Sequence, residues 1–241
     1  MSNTANRDLA DVKELFNAKA PTWNAKYLAD GPLTSRVAAF QRHLLARLPA
    51  NSRVLDLGCG TGAIASALSA SGFRVTACDF AEEMIEVGKR IYGGSSIEWC
   101  VLPPDWKQLP FDPCSFDAII ASSVLEYLPN VEGVLADCQR TLASRGILIA
   151  TVPNLQTLTR KLEGLARPTA VLLNAFTGLR WLRRLHSYTT YLKCSRNRLS
   201  PEEWRAVGTQ VQFAAVDPIE GDGRNESLVF LVFSKTPKAG Q

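Results

Sequence analysis

The sequence contains no run of eighteen apolar residues, although 46% of its 241 residues are hydrophobic. This absence excludes a conventional membrane-spanning helix. The first residues, MSNTANRDLADVKELF, carry acidic side chains every few positions and no apolar segment, a pattern unlike that of signal and transit peptides. We therefore expect a cytoplasmic protein with enough apolar material for one large core.

Cysteine and histidine at metal-ligand spacing are also absent. The cysteines include no C-x-x-C pair, and His43 and His186 are the only histidines, so no metal site is predicted. Several cysteines lie within strand-like runs, where a free thiol in a reducing compartment behaves as a small buried hydrophobe. The six cysteines are Cys59, Cys78, Cys100, Cys114, Cys138 and Cys194.

Most of the chain carries no excess of positive charge, which is confined to one segment. Residues 155–205 carry ten Lys or Arg and three acidic residues, a net charge of +7, whereas the remainder has seventeen basic and twenty acidic residues, a net charge of −3. A local basic cluster without a recognition motif is a poor match for a nucleic-acid-binding protein. We therefore predict no nucleic-acid partner.

Short apolar runs alternate with helical patterns through most of the chain. Helices are predicted over 8–19 and 34–48, before the first strand. The alternation that follows is typical of an α/β fold with a doubly wound, mostly parallel sheet of seven strands. The turn-rich EGDGRNE between the last two runs predicts a hairpin and an antiparallel final strand. The predicted strands are 53–57, 73–78, 97–101, 116–122, 146–152, 211–217 and 227–234, and the intervening helices are 62–71, 82–90 and 131–143.

Three closely spaced glycines follow the first predicted strand, in VLDLGCGTGAIA (54–65). Gly58, Gly60 and Gly62 permit positive φ and let a ligand rest directly on the backbone, and the helix that starts near Gly62 presents free N–H groups. In an open parallel sheet, ligands bind beyond the carboxyl ends of the strands. We therefore predict a ligand-binding turn. Gly58, Gly60 and Ala63 also satisfy the loose dinucleotide pattern G-x-G-x-x-G/A.

Acidic residues stand at the ends of the first three strands. Asp56 would repel a pyrophosphate and attract an amino group, which argues against NAD. Asp79 ends the second strand and Asp105 follows the third. One such acid alone would be read as a helix cap or turn residue. Three of them behind one glycine turn indicate a ligand with several hydrogen-bond donors.

These motifs resemble those of the class I S-adenosylmethionine-dependent methyltransferases. The resemblance covers about residues 50–155 and lies in VLDLGCGTG, ACDFAEEM, PPDWKQLPF and FDAIIASSVLEYLPN. It is strongest to the small-molecule group, the type 11 methyltransferases, which includes the ubiquinone-biosynthesis O-methyltransferases. The resemblance implies a Rossmann-like fold and S-adenosylmethionine as cofactor. The chain lacks the N-P-P-Y-like tetrapeptide of base-modifying relatives after the fourth strand.

The resemblance also implies a role for each matching residue. Gly58, Cys59 and Gly60 would support the methionine and ribose of the cofactor, and Asp56 would act on the methionine amino group. Asp79 would accept both ribose hydroxyls. The remaining matches are Asp105 for the adenine amine, Trp106 and Phe80 as walls for the adenine, and Ser122 and Ser123 near the sulfonium. The chain departs from the family at Tyr127, where members often have His.

An oxygen acceptor also needs a group that removes its proton. His186 is the first candidate, although a surface or capping histidine explains it equally well, and Glu126 is the second, although a helix or loop acid at the rim of the sheet is the simpler explanation. Trp23 and Tyr27 would roof the site if the N-terminal helix closes over it, as in many relatives; a role as ordinary packing anchors is an equal alternative.

We expect a single domain over 1–241, with N-terminal helices (1–50), a cofactor-binding half (51–154), a basic helical insert that we call the cap (155–199), and a C-terminal helix and hairpin (200–235). Long insertions beside a crevice are frequently lids. The basic amphipathic helix predicted over 170–185 fits a peripheral membrane contact, a site for an anionic substrate, or packing on its own domain.

The sequence therefore predicts a methyltransferase that acts on a hydroxyl of a small molecule, a glycan or a lipid-linked saccharide. Nitrogen or carbon methylation is the alternative within the same class. An NAD-binding oxidoreductase and a protein that binds the cofactor without turnover are the alternatives from other classes. The sequence gives no indication of the oligomeric state.

Overall fold

The computed structural model describes residues 3–29, 31–103, 106–158, 160–164, 183–219 and 228–236. The side chains of residues 3–8 and 183–187 are not among those described. Asp105, the turn within 220–227 and nearly all of the helix predicted over 170–185 therefore lie outside the described residues. So does the side chain of His186, although its backbone is helical.

The described residues form a seven-stranded sheet in the order β3-β2-β1-β4-β5-β7-β6. Strands β1 to β5 run parallel, and β7 runs antiparallel to both β5 and β6. The predicted α/β class and the antiparallel final strand are thereby confirmed. The strands are β1 (Arg53–Leu57), β2 (Arg74–Asp79), β3 (Ile97–Val101), β4 (Phe116–Ser122), β5 (Leu142–Pro153), β6 (Phe213–Val216) and β7 (Leu228–Lys235).

Helices pack on both faces of this sheet. The first helix runs to Trp23 rather than ending near residue 19, because Ala20 and Trp23 pack against Met84 of the fourth helix. Residues 160–164 are helical, and short 3₁₀ turns lie at Asn24–Tyr27 and Leu125–Tyr127. The longer helices are α1 (Asn3–Trp23), α2 (Thr34–Leu45), α3 (Ala63–Ala70), α4 (Glu82–Tyr92), α5 (Val131–Thr141), α6 (Arg183–Cys194) and α7 (Pro201–Gln210).

Two apolar clusters lie on opposite faces of the sheet. One includes Leu148 of β5 and Trp204 of α7, and the other includes Ile149 of β5 and Phe40 of α2. Neighbouring residues of a strand point to opposite faces, so one buried strand feeds both clusters. Among the described helices, none combines the length and the hydropathy needed to cross a bilayer.

Candidate active site

A cavity of about 480 Å³ lies beyond the carboxyl ends of β1, β2 and β4. Its walls come from α1, α2, the glycine turn after β1, the turn after β4 and the described part of the cap. Most residues singled out from the sequence line it: Trp23, Tyr27, Asp56, Gly58, Cys59, Gly60, Asp79, Phe80, Trp106, Ser122, Ser123, Glu126 and Tyr127. Asp105 and the His186 side chain lie outside the described residues, so their placement stays a prediction.

The turn after β1 needs glycine for two reasons. Gly58, Gly60 and Gly62 adopt φ values of 70°, 55° and 79°, which residues with a Cβ rarely adopt. A Cβ atom on Gly58 would also lie 2.4 Å from Val124 Cγ2, and one on Gly62 would lie 2.3 Å from Trp99 Cη2. The turn therefore exposes backbone to the cavity on one side and is packed tightly on the other.

Asp79 connects this turn to the end of β2. Its Oδ2 accepts a hydrogen bond from Gly60 N (2.8 Å), and its Oδ1 accepts one from Ala81 N (2.8 Å). Burial raises the pKa of Asp79 to about 6, although these backbone donors act in the opposite direction. Each carboxylate oxygen can accept a further bond, so Asp79 both braces the turn and offers two acceptors to the cavity.

Asp56 is the most isolated acid in the cavity wall. It is 1% exposed, and neither carboxylate oxygen accepts a hydrogen bond of normal geometry within the described structure. Burial and, secondarily, the nearby charge of Asp79 raise the pKa of Asp56 to about 7, although the backbone N–H of Ala65 acts in the opposite direction. A buried carboxylate is costly unless a cation or hydrogen-bond donors compensate it. Asp56 and Asp79, which we call the acid pair, therefore fit a ligand that brings positive charge and hydroxyl donors.

Basic side chains in the cavity wall were missed from the sequence. Arg36 Nη1 donates hydrogen bonds to the hydroxyl oxygens of Ser122 (3.3 Å) and Ser123 (3.2 Å) at the end of β4. Lys26 Nζ lies 3.6 Å from the ring centroid of Trp23, and burial, then the charges of Lys19 and Arg36, lower its pKa to about 8. Arg36 and Lys26 therefore offer positive charge to an anionic ligand group.

Aromatic rings from α1 and the neighbouring turns cover part of the cavity. Phe16 packs edge-on against Trp23 and Tyr127, with centroid distances of 5.6 Å and 5.3 Å. Burial raises the pKa of Tyr27 to about 12, so the phenol stays protonated at neutral pH. These rings give the cavity an apolar wall on this side.

Glu126 lies in the 3₁₀ turn after β4 and is 3% exposed. Its Oε2 accepts a hydrogen bond from Ser195 Oγ at 2.5 Å. Burial raises the pKa of Glu126, while the Ser195 bond and the charges of Arg160 and Arg198 oppose this shift. A buried carboxyl with a raised pKa in a cavity wall is a candidate for acid–base chemistry.

A second acid beside Glu126, which the sequence analysis also missed, is fully paired. Glu163 Oε2 accepts bonds from Arg160 Nη1 (2.8 Å) and Arg198 Nη1 (3.4 Å), and its Oε1 accepts one from Tyr188 OH (3.2 Å). Arg160 Nη1 also donates to Tyr191 OH. This network, which we call the cap cluster, fixes the described part of the cap against the cavity.

The fold defines a Rossmann-like α/β protein with a cavity beside the glycine turn. Residues 55–150 match the family model described as a methyltransferase domain. A ubiquinone biosynthesis O-methyltransferase from Xanthomonas oryzae is 32% identical over 189 residues, which cover 74% of this chain and 72% of that protein. The chain therefore belongs to the class I S-adenosylmethionine-dependent methyltransferases.

Two further comparisons agree with this family. A demethylmenaquinone methyltransferase from Clavibacter sepedonicus is 40% identical over 101 residues, which cover 42% of this chain and only 40% of that relative. A solved S-adenosylmethionine-dependent methyltransferase from Thermotoga maritima matches with a TM-score of 0.63 at 16% identity and covers 92% of this chain and 99% of its own. At that identity the match shows a shared fold.

Proposed function

We propose that the protein transfers the methyl group of S-adenosylmethionine to a hydroxyl oxygen of a small-molecule acceptor. The observation that carries the proposal is the acid pair beside the glycine turn. Asp56 is buried without compensation and Asp79 keeps acceptor capacity on both oxygens. These features match a cofactor that has an ammonium group, a sulfonium and two ribose hydroxyls.

The cofactor supplies an electrophilic methyl group when bound. In this proposal Asp56 acts on its ammonium group, Asp79 accepts the ribose hydroxyls, and Gly58, Cys59 and Gly60 form the supporting surface. Arg36 pairs with its carboxylate. Phe80 and Trp106 enclose the adenine and Asp105 accepts from the adenine amine, while Ser122 faces the sulfonium.

Glu126 is the side chain that we propose takes the proton of the acceptor hydroxyl. It lines the same cavity, and burial raises its pKa, which makes the ionised carboxylate a stronger base. His186 stays a second candidate base. The described cap residues and α1 exclude water, which is the main contribution a protein makes to an in-line displacement besides alignment. The name of the Xanthomonas relative supports oxygen as the acceptor atom.

The acceptor class includes phenols, sugar hydroxyls and lipid-linked saccharides. The basic helix predicted over 170–185 would hold an anionic substrate or place the protein at the surface of an anionic membrane. Vesicle co-sedimentation with and without anionic lipid separates these two roles.

Isothermal titration calorimetry tests the cofactor proposal. We expect micromolar binding of S-adenosylmethionine and no binding of NAD. Asp79→Ala should abolish the binding, while the exposed Asp217→Ala should not affect it; circular dichroism checks that both variants are folded. Binding of NAD in place of S-adenosylmethionine would overturn the proposal.

Turnover tests the acceptor proposal. A host extract incubated with the protein and methyl-labelled cofactor should yield a labelled product whose methyl carbon has the NMR shift of a methoxy group. A shift typical of an N-methyl or C-methyl group would refute oxygen as the acceptor. Cofactor binding with no labelled product from any extract fraction would indicate a binding protein.

A further inference from the structure

We infer that Ser195 and Asn197, at the end of the cap, are positioning residues that hold Glu126 in the orientation needed to accept a proton. The inference rests on the proposed function, because it assigns Glu126 the role of base. Neither residue was singled out from the sequence. Both follow α6, about seventy positions beyond Glu126 in the chain.

Four hydrogen bonds attach the segment after α6 to the 3₁₀ turn that carries Glu126. The carbonyl oxygen of Glu126 accepts from Arg196 N (2.8 Å) and Asn197 N (3.0 Å). Asn197 Nδ2 donates to the carbonyl oxygens of Leu125 (2.8 Å) and Leu128 (2.7 Å). The backbone of a three-residue turn is thereby fixed from outside, although the turn itself is too short to be rigid.

The side chain of Glu126 is fixed by a separate contact. Ser195 is fully buried, and its Oγ donates to Glu126 Oε2 at 2.5 Å. Because this bond occupies Oε2 and Glu126 lines the cavity, Oε1 is the oxygen assigned to the acceptor. Holding a base within a small angular range is worth orders of magnitude in rate.

The chemical step balances with these groups alone. The acceptor hydroxyl gives its proton to Glu126 Oε1 while its oxygen lone pair forms the new O–CH₃ bond. The S–CH₃ bond breaks with both electrons moving to sulfur, so the sulfonium becomes a neutral thioether. Glu126 then releases its proton to solvent. The Ser195 hydroxyl keeps its own proton and stabilises the ionised carboxylate.

The charges around Glu126 determine how its ionisation responds to a variant. Arg160 and Arg198 favour the ionised carboxylate, and Glu163 opposes it. The partly buried phenols of Tyr127 and Tyr191 also lie near Glu126. These groups stay in place when Ser195 is replaced. Loss of the Ser195 hydrogen bond should therefore raise the pKa of Glu126, whereas a merely structural loss would not change its titration in the folded protein.

The experiment is an NMR titration of ¹³C-carboxyl-labelled glutamate in the full chain, with Glu126→Gln used to assign the resonance. In Ser195→Ala, the Glu126 resonance should titrate at higher pH than in the wild type, by about one pH unit, and Ser195→Thr should restore the wild-type midpoint. Ser115→Ala is the matched control, since Ser115 Oγ donates to the carbonyl oxygen of Asp112 in a loop before β4. An unchanged midpoint in Ser195→Ala would overturn the inference.

The second experiment measures the rate of methyl transfer from radiolabelled S-adenosylmethionine to catechol, which serves as the acceptor probe. Ser195→Ala and Asn197→Ala should each lower kcat about tenfold and leave the Kd for S-adenosylmethionine unchanged; the acidic limb of the Ser195→Ala pH profile should move to higher pH. A rise in the KM for catechol with unchanged kcat would overturn the positioning role. If the wild-type protein binds no S-adenosylmethionine, the proposed function is refuted. The NMR titration needs no cofactor, so it tests the contact between Ser195 and Glu126 independently.

Discussion

Replacing Asp56 with asparagine should stabilise the cofactor-free protein at neutral and alkaline pH. Asp56 is buried with no hydrogen bond to either oxygen, so its ionised form is disfavoured in the folded state. Burial raises its pKa from 3.8 to about 7. Between these two values the folded protein binds more protons than the unfolded chain, so the free energy of unfolding falls as pH rises.

The size of the effect follows from this shift. One pKa unit corresponds to about 1.36 kcal/mol, so complete ionisation of Asp56 destabilises the folded state by up to ~4 kcal/mol above pH 7. An asparagine side chain at this position would keep the shape and carry no charge at any pH. The difference in unfolding free energy between the variant and the wild type should therefore widen by about 2–3 kcal/mol from pH 5 to pH 8.

Urea unfolding of cofactor-free protein at the two pH values measures this difference. Asp117→Asn is a control for which the opposite change in stability is expected, because the hydrogen bonds from Arg53 lower the pKa of Asp117. Loss of the Asp117 charge should destabilise the protein at pH 8. The same Asp56→Asn variant should bind S-adenosylmethionine at least about tenfold more weakly. If Asp56→Asn and the wild type have the same free energy of unfolding at pH 8, the conclusion that Asp56 carries an uncompensated charge is wrong.

Three other outcomes are expected. Cofactor binding at pH 7 should release about half a proton from Asp56, which calorimetry in buffers of different ionisation enthalpy detects, and the release should vanish at pH 9. Gly62→Ala should lower the unfolding free energy by about 1–3 kcal/mol, because its Cβ would meet Trp99, whereas Gly94→Ala, with open space around it, should not. Trp204→Ala should cost about 3–5 kcal/mol in urea unfolding, because Trp204 is fully buried.

Three of the strands could be predicted from the sequence to the residue. β1, β3 and β4 occupy 53–57, 97–101 and 116–122 in both the prediction and the structure, because apolar runs bounded by turn residues fix short buried strands. Helix ends were less accurate. The prediction ended α2 at residue 48, whereas it ends at Leu45, because the last apolar residues of the pattern belong to the turn that leads to β1.

Asp56 and Asp79 of the candidate site could be predicted because the topology places them. Every parallel strand of an open sheet ends at the same edge, so Asp56 and Asp79 had to lie close together. Arg36 and Glu163 could not be placed in this way, because they sit on helices whose docking depends on tertiary packing. A signal existed for Arg36: it occurs between Leu33 and Val37, next to a position that packs on the core.

The two groups of acids in the cavity wall differ in how completely they are compensated. Glu163 is neutralised by Arg160 and Arg198 and bonded by Tyr188, so it stabilises the cap whether or not a ligand is present. Within the acid pair, the hydrogen bonds of normal geometry come from backbone donors and go to Asp79. Stability is therefore sacrificed where the proposed cofactor brings positive charge and is retained where the protein must hold its shape. This division explains why the cationic group of a ligand would bind at the acid pair rather than at the cap cluster.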